Sequence, residues 1–266
     1  MNRLTGKDKN NRIHLLDIIR GILIIYVVYY HFMYDLNDIL GHEIPYLYSD
    51  WFSTIRDCMS GSLILISGIS CNFSRSNLKR GVKTVAIALL LSVVTIAIMP
   101  SQTIIFGILH LLGTMMVIYG LCGYISGKKA VKREAFDKEK VYGRLIWMLV
   151  FLFLFVVCRD IYDGYIQLMY RRIPIPGFLY GKNIFLYIMG FSQKLFSADY
   201  YPVIPWGFLF LSGAMGGYVL KSKKLPGFLY NNFCRPLAFI GRHTMIIYLA
   251  HQPVLFGVFM LIDKLF

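Results

Sequence analysis

The fold of this chain follows from one stretch, Arg12-Ile-His-Leu-Leu-Asp-Ile-Ile-Arg-Gly-Ile-Leu-Ile-Ile-Tyr-Val-Val-Tyr-Tyr-His31. The stretch is apolar and of membrane length, and three ionisable residues interrupt it: Asp17, Arg20 and His31. A titratable side chain inside a lipid-spanning helix is costly and marks a functional site by default. Eleven residues separate Arg20 from His31, about three helical turns, which places both on one face about 16 Å apart. This face therefore carries a cation near one membrane surface and an imidazole near the other.

The composition of the whole chain is that of a membrane protein. Of its 266 residues, 57% are hydrophobic and 16% are charged, which excludes an ordinary soluble globule. Several apolar stretches approach the roughly 20 residues that a spanning helix needs, and they lack the alternation of barrel strands. We therefore predict an all-α fold, a polytopic bundle of seven or eight transmembrane helices that forms a single membrane-embedded domain over residues 1–266. The spans are predicted near residues 15–33, 56–73, 82–99, 104–125, 145–160, 204–220 and 237–263.

The basic residues predict how the chain is oriented in the membrane. The net charge is +14, but the Lys and Arg residues lie in clusters between apolar stretches, which indicates topology signals rather than a nucleic-acid partner. The loop after the first helix carries acidic residues and no Lys or Arg, so it is predicted to be extracytoplasmic. The clusters predicted to be cytoplasmic are Arg3, Lys7, Lys9 and Arg12; Arg75, Lys79, Arg80 and Lys83; Lys128 to Arg144; and Lys221, Lys223 and Lys224.

These signals predict a multi-pass protein of the plasma membrane with a cytoplasmic N-terminus. No cleavable signal peptide is recognised, so the first apolar segment is predicted to be an uncleaved anchor. Residues 1–14 form a cytoplasmic lead-in, 127–144 a basic cytoplasmic loop, and 161–203 an extracytoplasmic region. Within this region, residues 183–191 are apolar but short, and we expect a re-entrant or interfacial segment; if it spans, the helix count is eight. Arg171, Arg172 and the Pro174–Gly177 break predict an irregular loop before it.

Histidine is the natural candidate for proton transfer at neutral pH because its unperturbed pKa is near 6.5. A single histidine at a helix end is ordinarily an interfacial residue. The topology, however, brings four of the six histidines to the extracytoplasmic side, which favours a catalytic function over that interpretation. These are His31, His42, His110 and His251. His14 and His243 lie at the cytoplasmic side, where a solvated or headgroup role is expected.

Two carboxylates accompany these histidines at the outer side. Asp57 begins the second predicted span, where it either orients a histidine or forms an ion pair with Arg56. Asp199 lies in a stretch rich in proline and aromatic residues, which is typical of a rigid outer rim. It is therefore either a functional acid or one exposed acid in an aromatic belt.

Asp17 and Arg20 lie three residues apart near the cytoplasmic end and can pair along the helix. Snorkelling to the interface is an alternative. A third interpretation is that Arg20, with Arg75, Lys79 or Arg80, receives a phosphorylated ligand from the cytoplasm. Arginine suits phosphate because its charge is permanent and its donor fork is planar.

The opening stretch resembles the first helix of membrane acyltransferases that carry an Arg-x10-His signature, here Arg20 and His31. Further motifs resemble the catalytic-domain family of heparan-α-glucosaminide N-acetyltransferase and its small bacterial relatives. The motifs follow the family's order along nearly the whole chain. They are Leu63-Ile-Leu-Ile-Ser-Gly-Ile-Ser70, Phe106-Gly-Ile-Leu-His-Leu-Leu-Gly113, Ser197-Ala-Asp-Tyr-Tyr-Pro202 with Pro205-Trp206, and Gly241-Arg-His-Thr-Met-Ile-Ile-Tyr-Leu-Ala-His251.

The resemblance implies transfer of an acetyl group from cytoplasmic acetyl-CoA to a sugar amine or hydroxyl on the far side of the membrane. It implies an acyl-CoA donor, a sugar or glycan acceptor and a lipid bilayer as partners. No metal is predicted, and a homodimer is one possible assembly. The lysosomal branch of the family implies His42 and Asp57 as catalytic residues, and the Arg-x10-His branch implies His31. Both patterns are present.

The catalytic hypothesis is that His31, or His42 aided by Asp57, removes a proton from the acceptor as it attacks the thioester. An acetyl-histidine intermediate is the alternative. His110 or His251 is predicted to donate a hydrogen bond to the developing oxyanion. The donor-binding candidates are Asp17, Arg20, Arg75 and Arg80. Two other classes remain open: a carrier for protons or a small solute, and a membrane sensor or scaffold.

Overall fold

Nearly all regular structure in the computed structural model is helical, which confirms the all-α fold class. The structure describes residues 12–38, 40–125, 138–181, 183–191, 195–222 and 225–265. Its longer helices are α1 (His14–Asp38), α2 (Asp50–Cys71), α3 (Asn77–Ile98), α4 (Ile108–Ile125), α5 (Lys138–Val157), α7 (Val203–Ser222) and α9 (Thr244–Leu265). Two shorter helices, α6 (Ile184–Met189) and α8 (Arg235–Arg242), and one hairpin complete the regular elements.

Six of these helices are long and apolar enough to cross a membrane, counted over the described residues: α1, α3, α4, α5, α7 and α9. They match six of the seven predicted spans. The helix at the remaining predicted span, 56–73, is α2, which has 22 residues but does not meet the same hydropathy criterion. Charged residues at Asp50, Arg56 and Asp57 and several serines make it more polar than the others.

Two helix ends differ from the sequence-based expectation. The first helix does not end near residue 33, where the predicted span ends, because α1 continues to Asp38. Asp35 and Asp38 therefore belong to α1 rather than to the acidic loop. The predicted last span, 237–263, is divided into α8 and α9 at His243, which caps α8 with its backbone N–H on the carbonyl of Ile240.

The region after α5 contains more regular structure than an irregular loop. A two-stranded antiparallel hairpin pairs β1 (Tyr165–Leu168) with β2 (Arg171–Pro174). Gly164, with a φ of 90°, provides the left-handed turn before β1. The short segment α6 has six residues and is only about 9 Å long, too short to span a bilayer.

The chain divides into two compact units, each described by itself. The first contains the described residues of 1–63 and 225–266, and the second contains those of 64–224. That the chain forms a single membrane-embedded domain stays a prediction. In the first unit α1 packs along α8 and α9. The contact with α8 is a direct backbone approach, because a Cβ on Gly241 would overlap the carbonyl oxygen of Asp17 and a Cβ on Gly21 that of Leu237.

In the second unit α3 packs on α4 and α5 packs on α7. Small residues again allow close backbone contact. A Cβ on Gly81 of α3 would lie 2.9 Å from the carbonyl oxygen of Gly113 of α4. The small residues of the second half of α2 pack similarly, since a Cβ on Gly68 would overlap the carbonyl oxygen of Phe210 in α7.

Many of the basic residues used for the topology prediction lie outside the described residues. These are Arg3, Lys7 and Lys9, the basic residues between positions 126 and 137, and Lys223 and Lys224. Most of the 1–14 lead-in and the first part of the 127–144 loop fall in the same category. The described end of that loop, from Lys138 onwards, is the first two turns of α5.

Candidate active site

The first unit brings two predicted site residues together, His31 of α1 and His251 of α9. Their ring centroids lie 4.8 Å apart. Gln252, the residue after His251, places its side-chain Nε2 3.0 Å from Nδ1 of His31. The same Gln252 side chain hydrogen-bonds the carboxylate of Asp35, which lies one turn beyond His31 and is 3% exposed. Two imidazoles, an amide and a carboxylate therefore form one connected polar group between α1 and α9.

His251 is buried, with 7% of the residue exposed. Its Nδ1 lies 2.5 Å from the backbone carbonyl oxygen of Tyr248. Its Nε2 is buried and makes no hydrogen bond within the described part of the chain. A buried polar nitrogen without a partner is unusual in a folded protein and indicates a ligand position or a function.

The position of this pair follows from the packing of α1 against α8 and α9. Gly241 lies against Asp17 and Gly21, and His31 and His251 each lie ten residues further along the chain than Gly21 and Gly241. Helices that run in the same direction with the same rise per residue keep such a register. The glycine contact near the start of α1 therefore aligns the histidines further along the helix.

The other end of α1 carries a cluster of two arginines on one carboxylate. Asp17, whose side chain is 3% exposed, accepts hydrogen bonds from Arg12 at 2.5 and 3.0 Å. Arg20 places a guanidinium nitrogen 3.5 Å from the same carboxylate. The hydrogen bond from Arg12 to Asp17 raises the pKa of the Arg12 guanidinium, because it stabilises the charged form. Two cations against one anion leave this cluster with a positive charge.

His14 adds an unpaired group beside this arginine cluster. Its Nδ1 is buried and has no hydrogen-bond partner among the described residues. His14 and Asp17 are three residues apart in the first turns of α1, so they lie on the same side of the helix. The donor types at this end of α1, guanidinium and imidazole, are those that bind phosphate.

A comparison with protein families finds a match over residues 12–253, nearly the whole chain, to the family described as heparan-alpha-glucosaminide N-acetyltransferase, catalytic. The chain belongs to this family. The match confirms the resemblance carried by the motifs, and it indicates that the protein is a membrane-embedded acetyltransferase. Comparisons with curated proteins and with solved structures return no match.

The second pair that the family resemblance implied, His42 and Asp57, is arranged differently. His42 is exposed in the loop between α1 and α2, and its backbone N–H donates to the carbonyl of Leu36 at 3.0 Å. Its side chain makes no hydrogen bond or ring contact within the described residues. Asp57 is paired with Arg56 at 2.8 Å, which is the ion pair considered from the sequence.

Arg56 links this ion pair to the histidine site of the acetyltransferase. Its side chain hydrogen-bonds Tyr30 as well as Asp57, and the ring of Tyr30 lies edge-on to His31 with centroids 5.6 Å apart. Asp57 is thus connected to His31 through two intervening side chains rather than by direct contact.

The remaining two catalytic candidates, His110 and Asp199, lie in the second unit. Both side chains accept hydrogen bonds from backbone N–H groups at the start of α4. Asp199 Oδ2 accepts from the backbone N–H of Ile108 at 2.9 Å. His110 is 5% exposed; its Nδ1 accepts from the backbone N–H of Gly107 at 3.2 Å, and its Nε2 lies 3.1 Å from the hydroxyl of Ser92. Both side chains satisfy backbone groups that a helix N-terminus leaves unpaired.

Arg75 and Arg80, the other donor-binding candidates, also lie in the second unit and are exposed at the start of α3. Ser76, between them, caps α3 by accepting a hydrogen bond from the backbone N–H of Lys79 at 3.3 Å. Arg75 directly precedes this cap, and Arg80 lies in the first turn of α3. They are therefore accessible to an anionic ligand.

Three residues that contact the site histidines or the Asp17 carboxylate were not among the site candidates from the sequence: Arg12, Asp35 and Gln252. A signal existed for Asp35, because it follows His31 by four residues and so shares its helix face. Arg12 and Asp17 are five residues apart, and Arg12 precedes α1, so helical spacing did not pair them. Nothing local connects Gln252 to His31, since 221 residues separate them.

Proposed function

We propose that this protein transfers an acetyl group from cytoplasmic acetyl-CoA to an amine or hydroxyl of a sugar or glycan on the extracytoplasmic side of the membrane. The observation that carries the proposal is the arrangement of α1: His31, in its second half, pairs with His251 of α9, and the start of the same helix holds the arginine cluster. Membership of the acetyltransferase family supports the reaction class.

The paired histidines supply the acid–base chemistry. The acceptor nitrogen or oxygen forms a bond to the acetyl carbonyl carbon, and its proton passes to an imidazole of the pair. The carbon–sulfur bond breaks, and the departing sulfur takes the proton from the imidazolium, so that CoA leaves as the thiol. An imidazole suits both transfers because its pKa lies near neutrality.

The cluster of Arg12, Asp17 and Arg20 is proposed to receive the phosphates of the donor. It retains positive charge after Asp17 is paired, and Arg20 is only partly exposed, with 23% of its side chain accessible. Arg20 and His31 are about 16 Å apart along α1. A donor with its phosphates at Arg20 therefore needs an extended arm to bring a thioester to His31, as CoA has.

Orientation follows from the charge distribution. No Lys or Arg occurs between Gly21 and Ile55, whereas Asp35, Asp38, Glu43 and Asp50 do. Basic residues precede α1 and flank the start of α3. The positive-inside rule then places Arg20 on the cytoplasmic side and His31 toward the outside. In this orientation the sugar acceptor reaches the site from the extracytoplasmic side, where the loop that contains His42 also lies.

The test is a reconstitution with the two substrates on opposite sides of a bilayer. Purified protein is inserted into liposomes that contain acetyl-labelled acetyl-CoA, and a panel of amino sugars and neutral sugars is supplied outside. Labelled, covalently acetylated sugar in the external medium is the expected product. Its absence with every acceptor, together with intact acetyl-CoA, would overturn the proposal.

The same assay separates the transferase from the carrier considered above. A carrier would move a solute across the bilayer without forming a covalent product and without consuming acetyl-CoA. Liposomes loaded with CoA in place of acetyl-CoA provide the control, since a transferase makes no acetylated sugar from them.

A further inference from the structure

We infer that His31 and His251 are held in opposite tautomers, so that His251 accepts the acceptor's proton while His31 donates a hydrogen bond, and that Gln252 and Asp35 set this division. The catalytic roles rest on the proposed function. The tautomers themselves follow from contacts alone.

The tautomer of His251 is set by its own helix. A backbone carbonyl only accepts hydrogen bonds, so the short contact from Nδ1 to the carbonyl of Tyr248, 2.5 Å, requires the proton on Nδ1. In a neutral imidazole the other nitrogen then carries the lone pair. That nitrogen, Nε2, is the buried atom without a hydrogen-bond partner in the described residues. His251 therefore presents an unprotonated nitrogen to the site.

The tautomer of His31 is set through two further side chains. When Asp35 is ionised its carboxylate only accepts hydrogen bonds, so the Gln252 group that hydrogen-bonds it is the NH₂ group. The same NH₂ lies 3.0 Å from Nδ1 of His31 and has a second hydrogen to donate. Nδ1 of His31 therefore accepts, and the proton of neutral His31 is on Nε2. Asp35 and Gln252 act here as positioning residues.

Buried surroundings make this chain of contacts restrictive. Asp35 is 3% exposed and His251 is 7% exposed, so water does not offer an easy alternative partner. Pro253 follows Gln252 directly and lacks a backbone N–H. The carbonyl of Leu249, four residues before it, is therefore left without its usual helical donor, and Leu249 directly follows Tyr248, whose carbonyl holds His251.

Complementary tautomers divide the work of acyl transfer. Nε2 of His251 takes the proton from the acceptor amine or hydroxyl as the new bond to the acetyl carbon forms. The Nε2–H of His31 donates a hydrogen bond to the carbonyl oxygen as that oxygen gains negative charge. When the carbon–sulfur bond breaks, the imidazolium of His251 returns its proton to sulfur. The sequence-based hypothesis had His31, or His42 aided by Asp57, as the base and His110 or His251 as the hydrogen-bond donor, so the inferred roles of His31 and His251 are the reverse of that hypothesis.

The test reads the tautomers directly in the unmodified protein. The full chain is produced with ¹⁵N-labelled histidine, reconstituted in lipid bilayers and measured by solid-state NMR at neutral pH. Signals are assigned by their loss in His31→Gln or His251→Gln. We expect a lone-pair type ¹⁵N shift for Nε2 of His251 and for Nδ1 of His31, and N–H type shifts for the other two nitrogens. A protonated Nε2 on His251, or a protonated Nδ1 on His31, would overturn the inference.

Two variants test the positioning residues. An asparagine at position 35 can donate as well as accept, so Asp35→Asn frees the Gln252 amide to turn and should give a mixture of His31 tautomers. Gln252→Leu removes the donor and should do the same. Neither change should alter His251, whose partner is a backbone carbonyl. Gln102→Leu, in a short helical turn of the other unit, is the matched control. An unchanged His31 spectrum in both variants would overturn the role of Asp35 and Gln252.

Kinetic measurements separate this inference from the proposed function. Acetyl transfer with the tautomers reversed would leave the proposed function standing and overturn the inference. The expected tautomers without transfer to any acceptor would overturn the proposed function, and the catalytic roles with it. If the tautomers are as expected and acetyl transfer occurs, Gln252→Leu should lower kcat by about 10-fold or more with little change in the KM for acetyl-CoA. The reason is that the hydrogen bond from Gln252 orients His31 and does not contact the donor.

Discussion

Gln252 and His31 are joined by a 3.0 Å hydrogen bond although 221 residues separate them in the chain. The contact places the last long helix against the first and brings His251 to His31. It also connects His31 to the buried carboxylate of Asp35. The first and last parts of the chain thus build the candidate site together within one compact unit.

The first expected outcome distinguishes the two histidines that the family patterns leave open. His31→Gln should lower acetyl transfer by about 100-fold or more, since one positioned hydrogen-bond donor to a developing oxyanion contributes that much. His42→Gln should retain far more activity, because the His42 side chain is exposed and makes no hydrogen bond in the described residues. The measurement is the initial rate of labelled sugar formation in proteoliposomes. Equal losses in the two variants would contradict the assignment.

A second expectation concerns the donor end of α1. Arg20→Gln should raise the KM for acetyl-CoA by about 10-fold or more while kcat changes less, because a charge-assisted hydrogen bond to phosphate contributes about 1.5–3 kcal/mol. Arg171→Gln, on the exposed hairpin of the other unit, is the matched control. Initial rates over a range of acetyl-CoA concentrations give both constants. A drop in kcat at unchanged KM would exclude a role for Arg20 in donor binding.

A third expectation tests the glycine contact that aligns the histidines. Gly241→Ala places a Cβ onto the carbonyl oxygen of Asp17, so it should destabilise the protein by about 1–3 kcal/mol and lower activity together with Tm. Gly257→Ala, on α9, is the control because its Cβ meets nothing within 4 Å and alanine is the better helix former. Thermal unfolding in detergent compares the two. A Tm for Gly241→Ala at or above that of the parent protein would contradict the close approach.

A fourth expectation separates structural from catalytic roles in the second unit. Asp199→Ala removes the acceptor for the backbone N–H of Ile108 and should cost about 0.5–2 kcal/mol of stability, as loss of a helix cap does. Below its own unfolding temperature the variant should keep its kcat. Asp163→Ala, an exposed acid in the short helical turn Ile161–Asp163 that follows α5, is the control for stability. Loss of kcat at full stability would return Asp199 to the catalytic residues.

Much of the fold follows from local sequence patterns. Long apolar stretches predicted six helices that meet the criteria for spans, and α1 appears where the opening stretch placed it. Helix ends were less predictable. α1 runs past His31 because nothing in Phe32–Asp38 breaks a helix. His243 divides the last predicted span although no Pro or Gly follows it within the first two turns of α9. The hairpin of β1 and β2 was missed because it is short and its residues do not alternate in polarity.

The sequence by itself determined the class of protein, the membrane-length helices and the presence of costly ionisable residues on one face of α1, because these depend on composition and on a period of a few residues. Only the tertiary structure decided which polar groups meet. It paired His31 with His251 and Gln252, gave His110 and Asp199 to the N-terminus of α4, and left His42 exposed. The physical reason is that a hydrogen-bond partner far away in the chain leaves no local pattern, whereas the backbone contact between Gly21 and α8 fixes the register in which distant side chains come together.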